Sequence, residues 1–220
     1  MNRNTAKWIA VGLIIFWNGL MVGYRMQVTG HRVFLFFIWN LFLAFLPFLC
    51  SQAAVFFQRQ KAWWISLAML GISVLFLPNS PYIVTDLFHL RTRAEMPLWF
   101  DTLLIYSMAT SGLIFFYLAL FDILKVVRHW LNRFTAEFLV SILCFLCGFG
   151  IYLGRYLRFN SWDVMSNPDE LIGEIADRIT DPYRHPQTIG VTLLYGAFLL
   201  AGYWVVHLLN WEKNEKVSDG

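Results

Sequence analysis

The sequence predicts an all-α fold, a polytopic integral membrane helix bundle of about six transmembrane helices with a broken third helix and an amphipathic helix in one loop. Three observations predict it. Of 220 residues, 58% are hydrophobic and only 14% charged, where soluble domains run at roughly 45–50% and roughly 25%. Mean hydropathy is +0.55. Phe, Trp and Tyr number 21, 10 and 9, more apolar surface than a water-soluble domain of this size has interior to hide. The same figures exclude a disordered chain, a disulfide-built scaffold (three Cys) and a basic nucleic-acid-binding domain (net charge +3).

A hydrocarbon core about 30 Å thick takes roughly 20 helical residues to cross. Six apolar runs meet or approach that length: 8–24, 33–57, 62–77, 98–124, 134–157 and 188–209, forming one membrane domain over 1–220 with a solvated, mixed-charge tail at 211–220. The first run follows Arg3 and Lys7 and lacks a small-x-small cleavage site, so it is expected to stay as a signal-anchor helix. Asn18 and Asn40 sit inside the first two runs, where an amide is expected to find an interhelical hydrogen bond. The third run spans only about 24 Å at 1.5 Å per residue before Pro78 stops it.

The break itself is polar: Pro78-Asn79-Ser80-Pro81-Tyr82, then Thr85, Asp86 and His89. Ser80 before Pro81 reads as an N-cap with a first-turn proline. On the helix it would start, Tyr82, Thr85, Asp86 and His89 share a face. Irregular backbone at membrane depth is tolerated where it lines a cavity or packs on protein, so Asn79, Tyr82, Asp86 and His89 are candidate site residues, with Asp86 and His89 the candidate catalytic pair. The plainer alternative is a local pair with Arg91 or Arg93.

The fourth run, 98–124, is unbroken. The fifth carries Cys144 and Cys147 in mid-span, read as small packed residues rather than a redox pair, and ends in Gly150-x-x-x-Gly154. The sixth contains Ala197-x-x-x-Ala201, so the last two helices are expected to pack through small residues, within the chain or between copies in a homo-oligomer. Beyond Gly154, Arg155 and Arg158 lie one turn apart and are expected to leave one helix face, where paired guanidinium forks can hold a phosphate. The alternative is that they snorkel to headgroups beside Trp162. Asn160 and Asp163 complete this second polar segment. In the loop from 159 to 187, Asn167-Pro168-Asp169-Glu170 starts a helix over about 168–179. Leu171, Ile172, Ile175 and Ile179 form its apolar face, and its acidic face suits a lid or partner surface better than a lipid anchor.

Nine basic residues fall on the side of the termini and eight on the other, but all five Lys lie on the first and the second has Arg alone. That asymmetry points to cytoplasmic termini and to a working surface of Arg outside. Phosphate-binding loops, dinucleotide fingerprints, zinc-protease and nucleophile-elbow motifs are absent. No cofactor and no metal is expected.

Leu77-Pro78-Asn79-x-Pro81-Tyr82-x-x-Thr85-Asp86-x-x-His89-Leu90, followed by Gly154-Arg155-x-x-Arg158-x-Asn160-Ser161-Trp162-Asp163, resembles a bacterial family of multipass membrane proteins, domain of unknown function 1361. The resemblance covers most of the chain. It implies a bacterial cytoplasmic-membrane protein, supplies no activity, and supports treating the two segments as one site. The expected function is binding of an anionic phosphate or carboxylate group of a lipid-linked or amphiphilic substrate at the extracytoplasmic membrane rim, with membrane lipid as partner and no nucleic acid. A small transporter or permease subunit and a non-catalytic assembly factor are the alternatives.

Overall fold

The computed structural model describes residues 2–90 and 96–218, and the chain forms two compact units, 1–123 and 124–220. The described elements are α1 (Arg3–Thr29), α2 (Leu35–Arg59), α3 (Trp63–Phe76), α4 (Asn79–Tyr82), α5 (Leu98–Val127), α6 (Arg133–Tyr156), α7 (Asp163–Ser166), α8 (Pro168–Thr180) and α9 (Pro186–Ser218), joined by short 3₁₀ turns. Among the described residues, six segments are long and apolar enough to cross a membrane: Asn4–Thr29, Leu35–Arg59, Trp63–His89, Leu98–Val127, Arg133–Tyr156 and Pro186–Leu209. The protein is an all-helical multipass membrane protein.

In the first unit, α1 runs past the expected end at residue 24. Arg25 does not end it, because its charge is matched inside the fold rather than in water. Gly30 closes the helix at φ 68°, its N–H donating to Met26 O at 2.8 Å, a left-handed cap that glycine adopts without a Cβ penalty. The long, apolar α2 packs antiparallel on α3. Their contact is sewn by hydroxyls at seven-residue spacing: Ser66 Oγ donates to Ala54 O (2.8 Å), Ser73 Oγ to Pro47 O (2.8 Å) and Ser80 Oγ to Ala44 O (2.6 Å). All three serines are buried. Between apolar helices in lipid, such bonds replace the missing hydrophobic drive.

Two expectations for the third span change. Its path does not stop at residue 77 but continues through α4 and a 3₁₀ turn, Ile83–His89, as one crossing of 27 residues. Ser80 lies inside α4 and spends its hydroxyl on Ala44; Pro78 holds the N-cap position. With about three residues per 3₁₀ turn, Tyr82 no longer shares a face with Asp86, whereas Asp86 and His89, three apart, still do. The α5 backbone passes close to the break: a Cβ on Gly112 would lie 2.3 Å from Ser80 O.

In the second unit α6 and α9 pack closely through small residues, with Gly148 and Gly196, the latter next to Ala197, at the contact. A Cβ on Gly148 would come within 2.5 Å of Thr192 O, and one on Gly196 within 2.3 Å of the Phe145 ring. Ala197 and Ala201 are exposed. Cys144 and Cys147 are buried free thiols on α6. Asn132 caps α6, its Oδ1 accepting from the Thr135 N–H at 2.9 Å. The α9 backbone continues to Ser218, through the expected tail; no Gly or Pro interrupts residues 203–218.

Candidate functional site

The polar centre of the first unit is Asp86, 1% exposed at the bottom of the 3₁₀ turn. Asn40 on α2 donates Nδ2–H to Asp86 Oδ2 at 3.0 Å. His89 Nδ1 lies 3.7 Å from Asp86 Oδ1, and the imidazole is about half exposed (47%). Phe36 packs on that ring, centroids 5.7 Å apart. A buried carboxylate thus sits behind an accessible imidazole, an arrangement in which the carboxylate orients the ring. The segment carrying them is held by the Ser80 bond to α2 and by the bare face of Gly112 on α5.

The other residues expected here play local parts. Asn79 donates Nδ2–H to Phe76 O at 2.9 Å, covering a carbonyl at the end of α3. Tyr82 is half-buried, and its carbonyl accepts the Thr85 hydroxyl at 2.7 Å. Arg91 and Arg93, the alternative partners of Asp86 and His89, lie outside the described residues.

The second polar segment belongs to the second unit. Arg155 is half-buried in the last turn of α6. Arg158 lies past the helix end at φ 65°, and the Phe159 N–H turns back to Leu153 O at 3.1 Å. The two guanidinium groups therefore do not leave one helix face. The helical register that placed them together ends at Tyr156. Asn160 and Asp163 are brought together: the Asn160 N–H donates to Asp163 Oδ2 at 2.6 Å and Ser166 Oγ to Asp163 Oδ1 at 2.8 Å. The Asn160 amide first, then the Ser166 hydroxyl, hold the Asp163 carboxyl below its ordinary range. Asp163 is the first residue of α7, so this cluster ties the residues before the helix to its single turn.

Of a buried polar seam between α1 and α5, only the interhelical hydrogen bond of Asn18 was expected, and the structure shows it. Arg25, 0% exposed, grips Asp101 with Nε to Oδ1 at 2.7 Å and Nη2 to Oδ2 at 3.2 Å, and stacks over Phe34 at 4.4 Å. Asn18 donates to Ser111 Oγ at 2.8 Å and accepts from Ser107 Oγ at 2.9 Å. At the other end Lys7 donates to Gln52 Oε1 at 2.6 Å, and Gln52 donates to the buried Asp122. A signal for it existed. Lys7, Asn18 and Arg25 are 11 and 7 residues apart, spacings that fall within about 20° of one helix face.

Among the described residues no group of three or more His, Cys, Asp or Glu is placed to hold a metal. The loop helix α8 is tied to its own unit by polar contacts. Arg178 bonds Glu174 and donates Nε–H to Tyr152 Oη at 3.4 Å, and His185 Nε2 lies 2.8 Å from Asp177 Oδ2. The Asn167 side chain bonds Glu170 rather than capping the helix.

A family described as "Protein of unknown function (DUF1361)" matches residues 39–201 of the chain. No curated protein and no solved structure matches it.

Proposed function

The chain belongs to the DUF1361 family, and from that premise we propose that it is a bacterial cytoplasmic-membrane protein that binds the phosphate or carboxylate of a lipid-linked or amphiphilic molecule at the outer membrane rim. The observation that carries this reading is the Asp86–His89 pair, a buried carboxylate 3.7 Å behind an accessible imidazole at the end of a membrane crossing. Ionisable groups at membrane depth serve function more often than surface ones. His89, oriented by Asp86, supplies a ring N–H donor to an anionic headgroup. Taken by itself, the second unit offers guanidinium forks from Arg155 and Arg158 to the same class of anion, with Asn160 and Asp163 shaping their loop, while in the first unit Asn79 and Tyr82 shape the segment that carries Asp86 and His89. An enzymatic step on the bound group would use His89 as the proton carrier and Asp86 as its orienting partner. The all-Lys side supports cytoplasmic termini.

The test is binding of a short-chain phosphatidic acid to the full chain in phosphatidylcholine nanodiscs. Saturable binding is expected, weakened about tenfold or more by His89→Ala and by the Arg155→Lys/Arg158→Lys double variant, since a charged hydrogen bond contributes about 1.5–3 kcal/mol. Lys keeps the charge and loses the fork. Unchanged affinity in both variants overturns the reading.

A transport role is the second reading, favoured by the buried Arg25–Asp101 and Asn18–Ser107–Ser111 contacts. Solute or proton flux in proteoliposomes that is lost on Asn18→Leu would favour it over a static rim site.

A further inference from the structure

We infer that α8 is an interfacial helix whose isoleucine stripe lies in the lipid of the membrane surface, rather than a lid or a protein-docking face. Its depth comes first. Arg178 donates to Tyr152, four residues before the end of α6, and its guanidinium lies 5.8 Å from that ring. Tyr152 lies within the crossing segment Arg133–Tyr156, so α8 is held at the level of the last turn of a membrane helix. Its other end is fixed too. His185, 2.8 Å from Asp177, ties the last turn of α8 to the residue before Pro186, where α9 begins its crossing.

Rotation comes second. Leu171 and Arg178 are the protein-facing positions, 8% exposed as a residue and as a side chain respectively. At about 100° per residue, Ile172 and Ile179 lie roughly 80–120° round the helix from them, and Ile175 lies at the edge between. Ile172 is 63% exposed and Ile179 70%. Met165 on α7 and Tyr183 just past α8 are exposed as well. An apolar stripe at the depth of a helix end has acyl chains and headgroups as its surroundings.

Charge comes third. Within the loop Glu174 pairs with Arg178, and Asp177 bonds His185 and lies near Arg178, while Asp169 and Glu170 sit in the first turn. Glu170, Glu174 and Asp177 lie about 140–180° round the helix from Ile172 and Ile179, so the acidic side faces away from the stripe and burial of the stripe sets the position of the helix.

Photocrosslinking decides the occupant. The full chain, in vesicles of phosphatidylcholine or of phosphatidylcholine with phosphatidylglycerol, carries p-benzoylphenylalanine at position 172, 179 or, as the opposite-face control, 170. Lipid adducts are expected at 172 and 179 in both vesicle types, at least fivefold above those at 170. Crosslinks from 172 or 179 to protein, within the chain or to another, overturn the inference, as does water-like labelling equal at all three positions. Substituting the exposed stripe leaves the fold's buried contacts untouched. As a second readout, Ile172→Ser/Ile179→Ser should raise hydrogen exchange across 168–180 in vesicles; exchange equal to the parent protein counts against lipid burial.

Discussion

Arg25 on α1 and Asp101 on α5 form a buried two-point ion pair, the guanidinium edge at 2.7 and 3.2 Å from the two carboxylate oxygens. Neither charge reaches water: Arg25 is 0% and Asp101 4% exposed. Removing one partner strands the other. Arg25→Met or Asp101→Leu alone is expected to lose about 3–5 kcal/mol of stability, whereas the double variant, with both charges gone, recovers most of it. Thermal unfolding in micelles measures this, and two fully stable single variants would show that the pair contributes nothing.

Asn40 supplies the hydrogen bond to Asp86 that comes from α2. Asn40→Leu leaves a buried carboxylate oxygen without that donor, at a cost of about 1–3 kcal/mol. It should also weaken phosphatidic acid binding in the nanodisc assay in the same direction as His89→Ala, because the carboxylate that orients His89 is no longer held. Loss of stability with unchanged binding would assign Asn40 a packing role alone.

Gly148 and Gly196 set the approach of α6 and α9. Gly148→Ala places its methyl 2.5 Å from a backbone carbonyl that cannot rotate away, and about 1–3 kcal/mol of destabilisation is expected from the overpacking. Ala197→Leu, on the exposed side of α9, should change stability by less than about 0.5 kcal/mol. Comparing the two melts distinguishes the contact face from the open one; equal melts would contradict the placement.

Asp163 gives a pH-dependent loop. Its carboxyl is held below the ordinary value by the Asn160 amide and the Ser166 hydroxyl. A group lowered on folding contributes stability above its unfolded pKa and loses it as pH falls through the lowered one. Local opening of residues 160–166 should therefore rise as pH drops from the ordinary carboxylate range into the more acidic one. Amide exchange corrected for intrinsic rates tests this, with Asp163→Asn expected to show a flat profile.

The long elements were legible because membrane crossing is a property of local run length: all six crossings overlap the apolar runs, and α8 begins at Pro168 as its cap sequence indicates. The failures are equally physical. The first apolar run ends at Tyr24 because Arg25 follows, and a charge ends a crossing unless another helix supplies its counter-charge, as Asp101 does here. Ser80 carried a cap signature, yet a neighbouring carbonyl on Ala44 drew its hydroxyl away. Arg155 and Arg158 shared a face only while the helix was assumed to continue, and the positive φ of Arg158 ends it. The serines at 66, 73 and 80 were visible at heptad spacing, but their acceptors lie on another helix.

The sequence by itself determined that this protein lives in a membrane, how many times it crosses, and that polar chemistry gathers at the break after Pro78. Those follow from composition and spacing along one strand of chain, since a bilayer tests each segment separately. Only the tertiary structure decided that Asp86 is held by Asn40, that Arg25 answers Asp101, and that Asp177 of α8 is bonded by His185 within its own loop. Such pairings depend on the rotation and height of one helix against another, and no periodicity within a single helix encodes its neighbour's register.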